Sequence, residues 1–258
     1  MPKFTACVEM LFNHLPFLER LEKVKDAGLS AFEFWGWTNK NIDAIAEKKS
    51  ELGLICSTFI ASRTISSLTR SDVKDDFVLT IEASIKVAKR LNCHNLIAPV
   101  GLGQPTRGLT RPQQLRNAVE NLKAAVPLLE KSGIILLVEP VNPINHKGLF
   151  LRKSAEAANI IRKVGSPNVK MLYDFYHQQL TEGNLIDNAK AYFDLIGFFH
   201  VGDVPGRHEP GTGEINYKNI FQFIDKSGYK EYVSLEFMPT GDHAEAIRKT
   251  IDLALSAK

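Results

Sequence analysis

Short apolar stretches rich in branched and aromatic residues alternate eight times with longer amphipathic ones, and no other feature of the chain constrains its fold as much. A parallel pairing needs a crossover connection, usually a helix, so strand–helix units repeated in this way build a parallel sheet. The predicted strands are FTACVEMLF from Phe4, AFEFWG from Ala31, LICSTFI from Leu54, NLIAPVG from Asn95, ILLVEPV from Ile135, VKMLYDF from Val169, IGFFHVGD from Ile196 and YVSLEFMP from Tyr232. Eight units favour an α/β fold closed into a (β/α)8 TIM barrel over an open sheet, and 258 residues suit such a barrel as one domain, 1–258. No linker or low-complexity segment marks a second domain.

The clearest helical pattern runs from about Thr110 to Lys131, where Leu115, Val119, Leu122, Val126 and Leu129 recur at three- and four-residue steps on one face. Thr110 is the predicted N-cap, with Pro112 in the first turn. Pro127 predicts a kink or an early end, since it cannot donate to the helix ladder. Gly28, Gly53, Gly133 and Gly228 each fall between a helix and the next strand, where a left-handed residue closes the helix.

Composition narrows the function classes. Hydrophobic residues make up 44% and charged residues 24%, the balance of a soluble globular protein with ample core material. The net charge of +3 comes from 32 basic and 29 acidic residues scattered along the chain, with no basic tail or aromatic-basic stripe, so nucleic acid is not suggested as a partner. No run approaches the ~20 apolar residues of a membrane helix, and MPKFTACVEMLF lacks the apolar core and cleavage site of a signal peptide. A cytoplasmic protein with no membrane partner is expected. Cys7, Cys56 and Cys93 fall in apolar runs and are read as small core side chains rather than disulfides or ligands.

Chemistry in such barrels gathers at the C-terminal ends of the strands. There the fifth strand carries Glu139, the sixth Asp174 and His177, the seventh His200 and Asp203, and the eighth Glu236. Glu139, Asp174, His200 and Glu236 each follow apolar residues that should be buried. A buried carboxylate is costly without a partner, and three on nearby strands repel one another. A divalent cation resolves both problems. Three carboxylates and one imidazole suit Mn²⁺, Mg²⁺ or Co²⁺ with positions open for a substrate, whereas the absence of a thiolate and the single histidine argue against structural zinc. The alternative is that each is an ordinary satisfied polar group.

The segments VEPVN at 138–142, YDFYHQQLTEGNL at 173–185, DVPGRHEPGTGEINY at 203–217 and LEFMP at 235–239 resemble motifs of the hydroxypyruvate isomerases, within the xylose isomerase-like barrels that also include the ketose 3-epimerases. PGRHEPGTGEINY is the longest and most specific of these, while over residues 1–130 the likeness rests on barrel periodicity. The resemblance implies one divalent metal held by Glu139, Asp174, His200 and Glu236, with Glu139 and Glu236 also the proton-transferring pair. Hydroxypyruvate isomerases usually carry glutamine where this chain has His200, and the 3-epimerases carry histidine there, which keeps epimerisation open beside isomerisation.

Isomerising an α-hydroxycarbonyl compound moves a proton between neighbouring carbons through an enediolate. A cation stabilises that charge while carboxylates act as base and acid. Around this centre His177 is expected to bond a substrate oxygen, the alternative being a rim histidine bonded to backbone. Arg207 is expected to grip a substrate carboxylate or hydroxyl with its planar fork, the alternative being a salt bridge to Asp203 or Glu209. Asp203 lines or braces the mouth, and His208 and Glu214 are read first as loop-ordering residues. PGTG at 210–213 and GLGQ at 101–104 fit no phosphate-loop pattern. Trp35, Trp37 and Phe12 are expected to pack in the interior, with a pocket wall or a subunit contact in a homo-oligomer as the alternatives. Glu33 is a candidate contact to a substrate hydroxyl. Incision at abasic DNA, known in the same group of barrels, needs more histidines than this set offers, and a barrel that binds metal or sugar without catalysis is a further alternative.

Overall fold

The structure, a computed structural model, describes residues 1–61, 68–99 and 108–257. Eight parallel strands follow one another around a closed barrel: β1 (Lys3–Cys7), β2 (Ala31–Gly36), β3 (Ile55–Ile60), β4 (Asn95–Pro99), β5 (Ile135–Glu139), β6 (Val169–Asp174), β7 (Ile196–Val201) and β8 (Tyr232–Leu235). β8 closes on β1 with Lys3 opposite Tyr232 and Ala6 opposite Leu235. The connections carry α1 (Phe17–Asp26), α2 (Ile42–Leu52), α3 (Lys74–Leu91), α4 (Arg111–Ser132), α5 (Ser154–Val164), α6 (Phe175–Thr181), α7 (Leu185–Ala191), α8 (Tyr217–Lys226) and α9 (His243–Leu255).

All eight predicted strands are present, and several stop earlier than their apolar runs. β1 ends at Cys7, and the chain then turns, with Phe12 in the left-handed region at φ 56° and its N–H donating to His243 Nδ1 at 2.8 Å. The predicted fourth strand runs on to Gly101, outside the described residues.

Alternation along each strand sorts the side chains between two cores. Outward residues such as Leu136, Val138, Met171, Tyr173, Phe199 and Val201 pack with the helices into one large cluster. The residues between them, Ile97, Leu137, Leu172 and Phe198, form a separate plug inside the barrel. One pleat further along β5, β6 and β7 come Glu139, Asp174 and His200, so the hydrophobic plug is the floor on which the polar residues stand.

α4 begins as predicted, with Gln113 Oε1 accepting from the N–H of its Thr110 cap at 2.8 Å. Of the kink or early end expected at Pro127, the early end is not found, and the helix continues to Ser132. Pro127 and Lys123, whose carbonyl would have been its partner, are both exposed, so water can satisfy the orphaned oxygen and one lost bond is tolerated late in a helix of 22 residues. Gly53 and Gly133 cap α2 and α4 with φ of 64° and 69°, and Gly28 and Gly228 are also left-handed. Cys7, Cys56 and Cys93 are free and buried. No described helix is long and apolar enough to cross a membrane.

Candidate active site

The barrel brings Glu139, Asp174, His200 and Glu236 together, with one donor atom from each lying within 4.8 Å of the others. Strand pairing fixes part of this, since Asp174 stands opposite His200 in the β6–β7 ladder. Glu236 follows the last residue of β8 and donates its own N–H to Val201 O at 3.1 Å, which carries the strand direction up to the site. The Glu139 side chain is 12% exposed and the other three are buried.

Glu236 is the hub. Its Oε2 accepts from His200 Nδ1 at 2.6 Å and from Arg207 Nη2 at 2.6 Å, and its Oε1 accepts from Trp35 Nε1 at 2.9 Å. Burial alone would raise its pKa, but the Arg207 and His200 charges outweigh that and hold the carboxyl below the usual carboxylate range. Burial likewise works against a charged His200, yet Glu33 and Glu236 on either side raise its pKa well above the ordinary value. For Glu139, burial dominates and repulsion by Glu236 and Asp174 adds to it, against an opposing pull from His200, so its pKa is pushed up to about 8.

Asp174 divides its oxygens between structure and site. Oδ1 caps α6, accepting from the N–H groups of Tyr176 at 2.8 Å and His177 at 3.3 Å, while Oδ2 accepts from Arg207 Nη2 at 2.7 Å. His200 divides its nitrogens in the same way, with Nδ1 toward the cluster and Nε2 3.2 Å from Glu33 Oε2. That places Glu33 behind the imidazole, the arrangement by which a carboxylate orients a metal-binding histidine. Its second oxygen, Oε1, is buried without a hydrogen-bond partner among the described residues.

These donors fit a divalent ion. Metal–oxygen bonds of about 2.1 Å put neighbouring donors about 3 Å apart and opposite ones about 4.2 Å apart, so the cluster needs only a small contraction. A second group, Cys7 with Glu33 and Glu236, lies within the same limit. Burial, followed by the negative charges of Glu236 and Glu33, pushes the Cys7 thiol well up, and a protonated sulfur is a poor ligand. The four-residue set is the better candidate.

The loop after β7 is built around Asp203. Its carboxylate, fully buried, accepts from the N–H groups of Val204, Gly211, Gly213 and Ile215 at 2.9–3.1 Å. At Gly213 a Cβ would lie 2.0 Å from Val204 O, so no other residue fits. The N–H groups of Gly211 and Gly213 are thus spent on that carboxylate and that of Thr212 on Glu209 O, so PGTG offers none of them to phosphate, and GLGQ at 101–104 lies outside the described residues. The expected alternative for Arg207, a salt bridge to Asp203 or Glu209, is not found: Asp203 is saturated by backbone and Glu209 bonds Thr240. Arg207 instead reaches Asp174 and Glu236 from a left-handed backbone at φ 58°, with its guanidinium 4.9 Å from the Tyr176 ring centroid. A non-glycine residue held at positive φ is a strain that functional sites often carry. His208 bonds Met238 O and Glu214 bonds Gln179, both ordering the loop.

His177 is buried rather than at the rim, and its ring bonds Asn142, not backbone. Its Nε2 lies 3.5 Å from Asp174 Oδ2 and 3.8 Å from Glu139 Oε1. Burial lowers its pKa to about 3, against the smaller upward pull of Asp174, so the ring is neutral at physiological pH. Trp37 is structural, bonding Ala61 O and Ser84 Oγ, and Phe12 is buried and stacked on His243. The sequence reading missed Trp35 as a partner of Glu236, Glu33 as a partner of His200, and Asn142 altogether. For the first two the sequence offered half a signal: Glu33 and Trp35 are two apart on β2 and so share one face, but nothing in the sequence says whether that face looks inward.

Residues 21–256 match the family described as xylose isomerase-like TIM barrel. The chain is 32% identical to hydroxypyruvate isomerase of Escherichia coli K12 over 252 residues, covering 93% of this chain and 94% of the relative. It is 29% identical to 2-oxo-tetronate isomerase of Pectobacterium atrosepticum, covering 93% and 94%. Among solved structures, a Brucella melitensis protein described as an AP endonuclease of family 2 superposes with a TM-score of 0.92 at 29% identity, covering 98% of this chain and 99% of that one.

Proposed function

The chain belongs to the xylose isomerase-like TIM barrel family, and from that premise we propose that it is a divalent-metal-dependent isomerase of small hydroxycarbonyl acids. It is an enzyme of the isomerase class, as its relatives matched over nearly full length are. The substrate assigned here is hydroxypyruvate, interconverted with tartronate semialdehyde, or a close 2-oxo acid relative. The observation that carries this reading is the convergence of Glu139, Asp174, His200 and Glu236 within 4.8 Å on a hydrophobic floor.

The reaction needs no external oxidant. A proton leaves the hydroxyl-bearing carbon beside the carbonyl, a proton is returned to the former carbonyl carbon, and the hydroxyl proton passes between the two oxygens. A bound Mn²⁺, Mg²⁺ or Co²⁺ supplies Lewis-acid polarisation and an orienting template. Glu139, Asp174, His200 and Glu236 hold it. Glu236, kept anionic by Arg207 and His200, takes the carbon proton, and Glu139, which shares the cluster, is the partner that returns one. Arg207 presents a planar cation, fixed against Tyr176, to the substrate carboxylate. His177 faces a substrate oxygen above Asp174 and Glu139.

His200 supports a second reading, epimerisation of a free ketose at C3, since imidazole is the ligand expected there in the ketose 3-epimerases. Turnover of hydroxypyruvate by the Mn²⁺-loaded protein, compared with that of fructose, tagatose and ribulose, separates the two. Dominant turnover of hydroxypyruvate is expected. Dominant turnover of a ketose would transfer the assignment to epimerisation.

A further inference from the structure

Neutral histidine has two tautomers, and a site that uses one ring nitrogen as a donor must keep the proton there. At His177 the choice is made from outside the ring. The side-chain oxygen of Asn142 accepts from the N–H groups of Ile144 at 3.0 Å and Asn145 at 2.8 Å, closing a turn just after β5. Backbone N–H groups only donate, so these two bonds fix which end of the amide is oxygen. The Asn142 Nδ2 is therefore the end that faces His177 Nδ1, 2.6 Å away, and it also donates to Asn145 Oδ1 at 3.1 Å. Asn145 Oδ1 in turn accepts from the Tyr176 hydroxyl at 2.9 Å, which holds the amide on that side. An NH₂ group can only donate to Nδ1, so Nδ1 is bare and the ring proton is on Nε2.

We propose that Asn142 is a positioning residue that locks His177 in the Nε2–H tautomer and so makes it a hydrogen-bond donor to an oxygen of the substrate above Glu139 and Asp174. The donor role rests on the function proposed above, whereas the tautomer stands on the hydrogen bonds alone. Nε2 is 3.5 Å from Asp174 and 3.8 Å from Glu139, at or beyond the outer limit of a hydrogen bond, so its proton is available to a third oxygen. Asn142 is fully buried, and the ring is packed edge-on against His146 and Tyr176, so neither partner can turn away. The ligand class that matches such a donor is a carbonyl oxygen that gains negative charge during the reaction.

Asn142→Asp provides the test, because a carboxylate still accepts from Ile144 and Asn145 and preserves the turn but now demands a proton on Nδ1. Long-range ¹H–¹⁵N correlation spectra of the labelled protein report which ring nitrogen is protonated, and His177→Gln identifies the His177 signals by their loss. The wild type is expected to show bare Nδ1 and protonated Nε2, and Asn142→Asp a protonated Nδ1. A protonated Nδ1 in the wild type, or a bare one in Asn142→Asp, overturns the lock. In turnover, Asn142→Asp should lower kcat by at least about tenfold with a smaller change in KM, as loss of a group acting in the transition state does. A switched tautomer with unchanged kcat would overturn the donor role. Absence of turnover of hydroxypyruvate by the wild type would sink the proposed function and leave the spectroscopic result standing.

Discussion

Glu236 accepts from side chains on three separate parts of the barrel, Trp35, His200 and Arg207, and its charge is what those donors are arranged around. Glu236→Gln keeps the shape and removes the charge. Exchange of the substrate carbon-bound hydrogen with solvent should fall by at least about 100-fold, with an unchanged far-ultraviolet circular dichroism spectrum. Full exchange in the variant would take Glu236 out of the chemistry. His177 gives a prediction in pH. Its pKa falls from 6.5 to about 3 on burial, so between those values the unfolded chain binds a proton that the native protein does not, and stability drops as pH falls. From pH 7 to pH 5 this costs the wild type about 2 kcal/mol more than His177→Gln, read from urea midpoints. Glu139 acts with the opposite sign, losing stability as pH rises toward 8, but it is common to both proteins and cancels in the difference. An equal loss in both would mean that His177 is not buried neutral. At this scale the four acidic and imidazole residues were legible because a charged group ending an apolar strand is conspicuous. Asn142 and Trp35 were not, since an amide in a turn and an indole in an apolar run look the same whether or not they face a site.

At the scale of elements, the segment from Asp203 to Tyr217 shows how one buried side chain can hold a loop in shape. Four backbone N–H groups converge on the Asp203 carboxylate, Gly213 allows the close approach to Val204, and the result is a fixed platform for Arg207. Asp203→Asn offers one acceptor oxygen in place of two and turns its NH₂ toward donors. A stability loss of about 3 kcal/mol in urea unfolding is expected, with a fall in kcat as Arg207 loses its platform. A loss within experimental error would show that the loop is held by other contacts. The density of polar residues here was visible in the sequence, but their division of labour was not, because Asp203 and Glu209 are interchangeable as partners for Arg207 until the backbone says which donors each carboxylate meets. Pro127 illustrates the reverse. Its local rule is sound, yet a single missing bond on the solvent face does not end a helix whose other face is packed on the barrel.

For the whole molecule, the alternation of strand and helix was sufficient to give the closed barrel, since each parallel step and its covering helix leave a local trace. What left no trace is the phase of each strand around the ring, which decides whether Glu33 and Trp35 look into the site or into the helices. The four-residue cluster holds one histidine and the charge of the chain is nearly balanced, neither of which suits a multi-metal site working on DNA. No incision of an abasic duplex is expected, and incision at a rate matching hydroxypyruvate turnover would contradict the assignment. The central claim is that one divalent ion, held by Glu139, Asp174, His200 and Glu236, is required for proton transfer at substrate carbon. Its most direct test is solvent deuterium incorporation into hydroxypyruvate, followed by NMR on protein stripped with a chelator and then titrated with Mn²⁺. Incorporation should vanish on stripping and return with one equivalent of metal, whereas undiminished incorporation by the stripped protein would contradict the account.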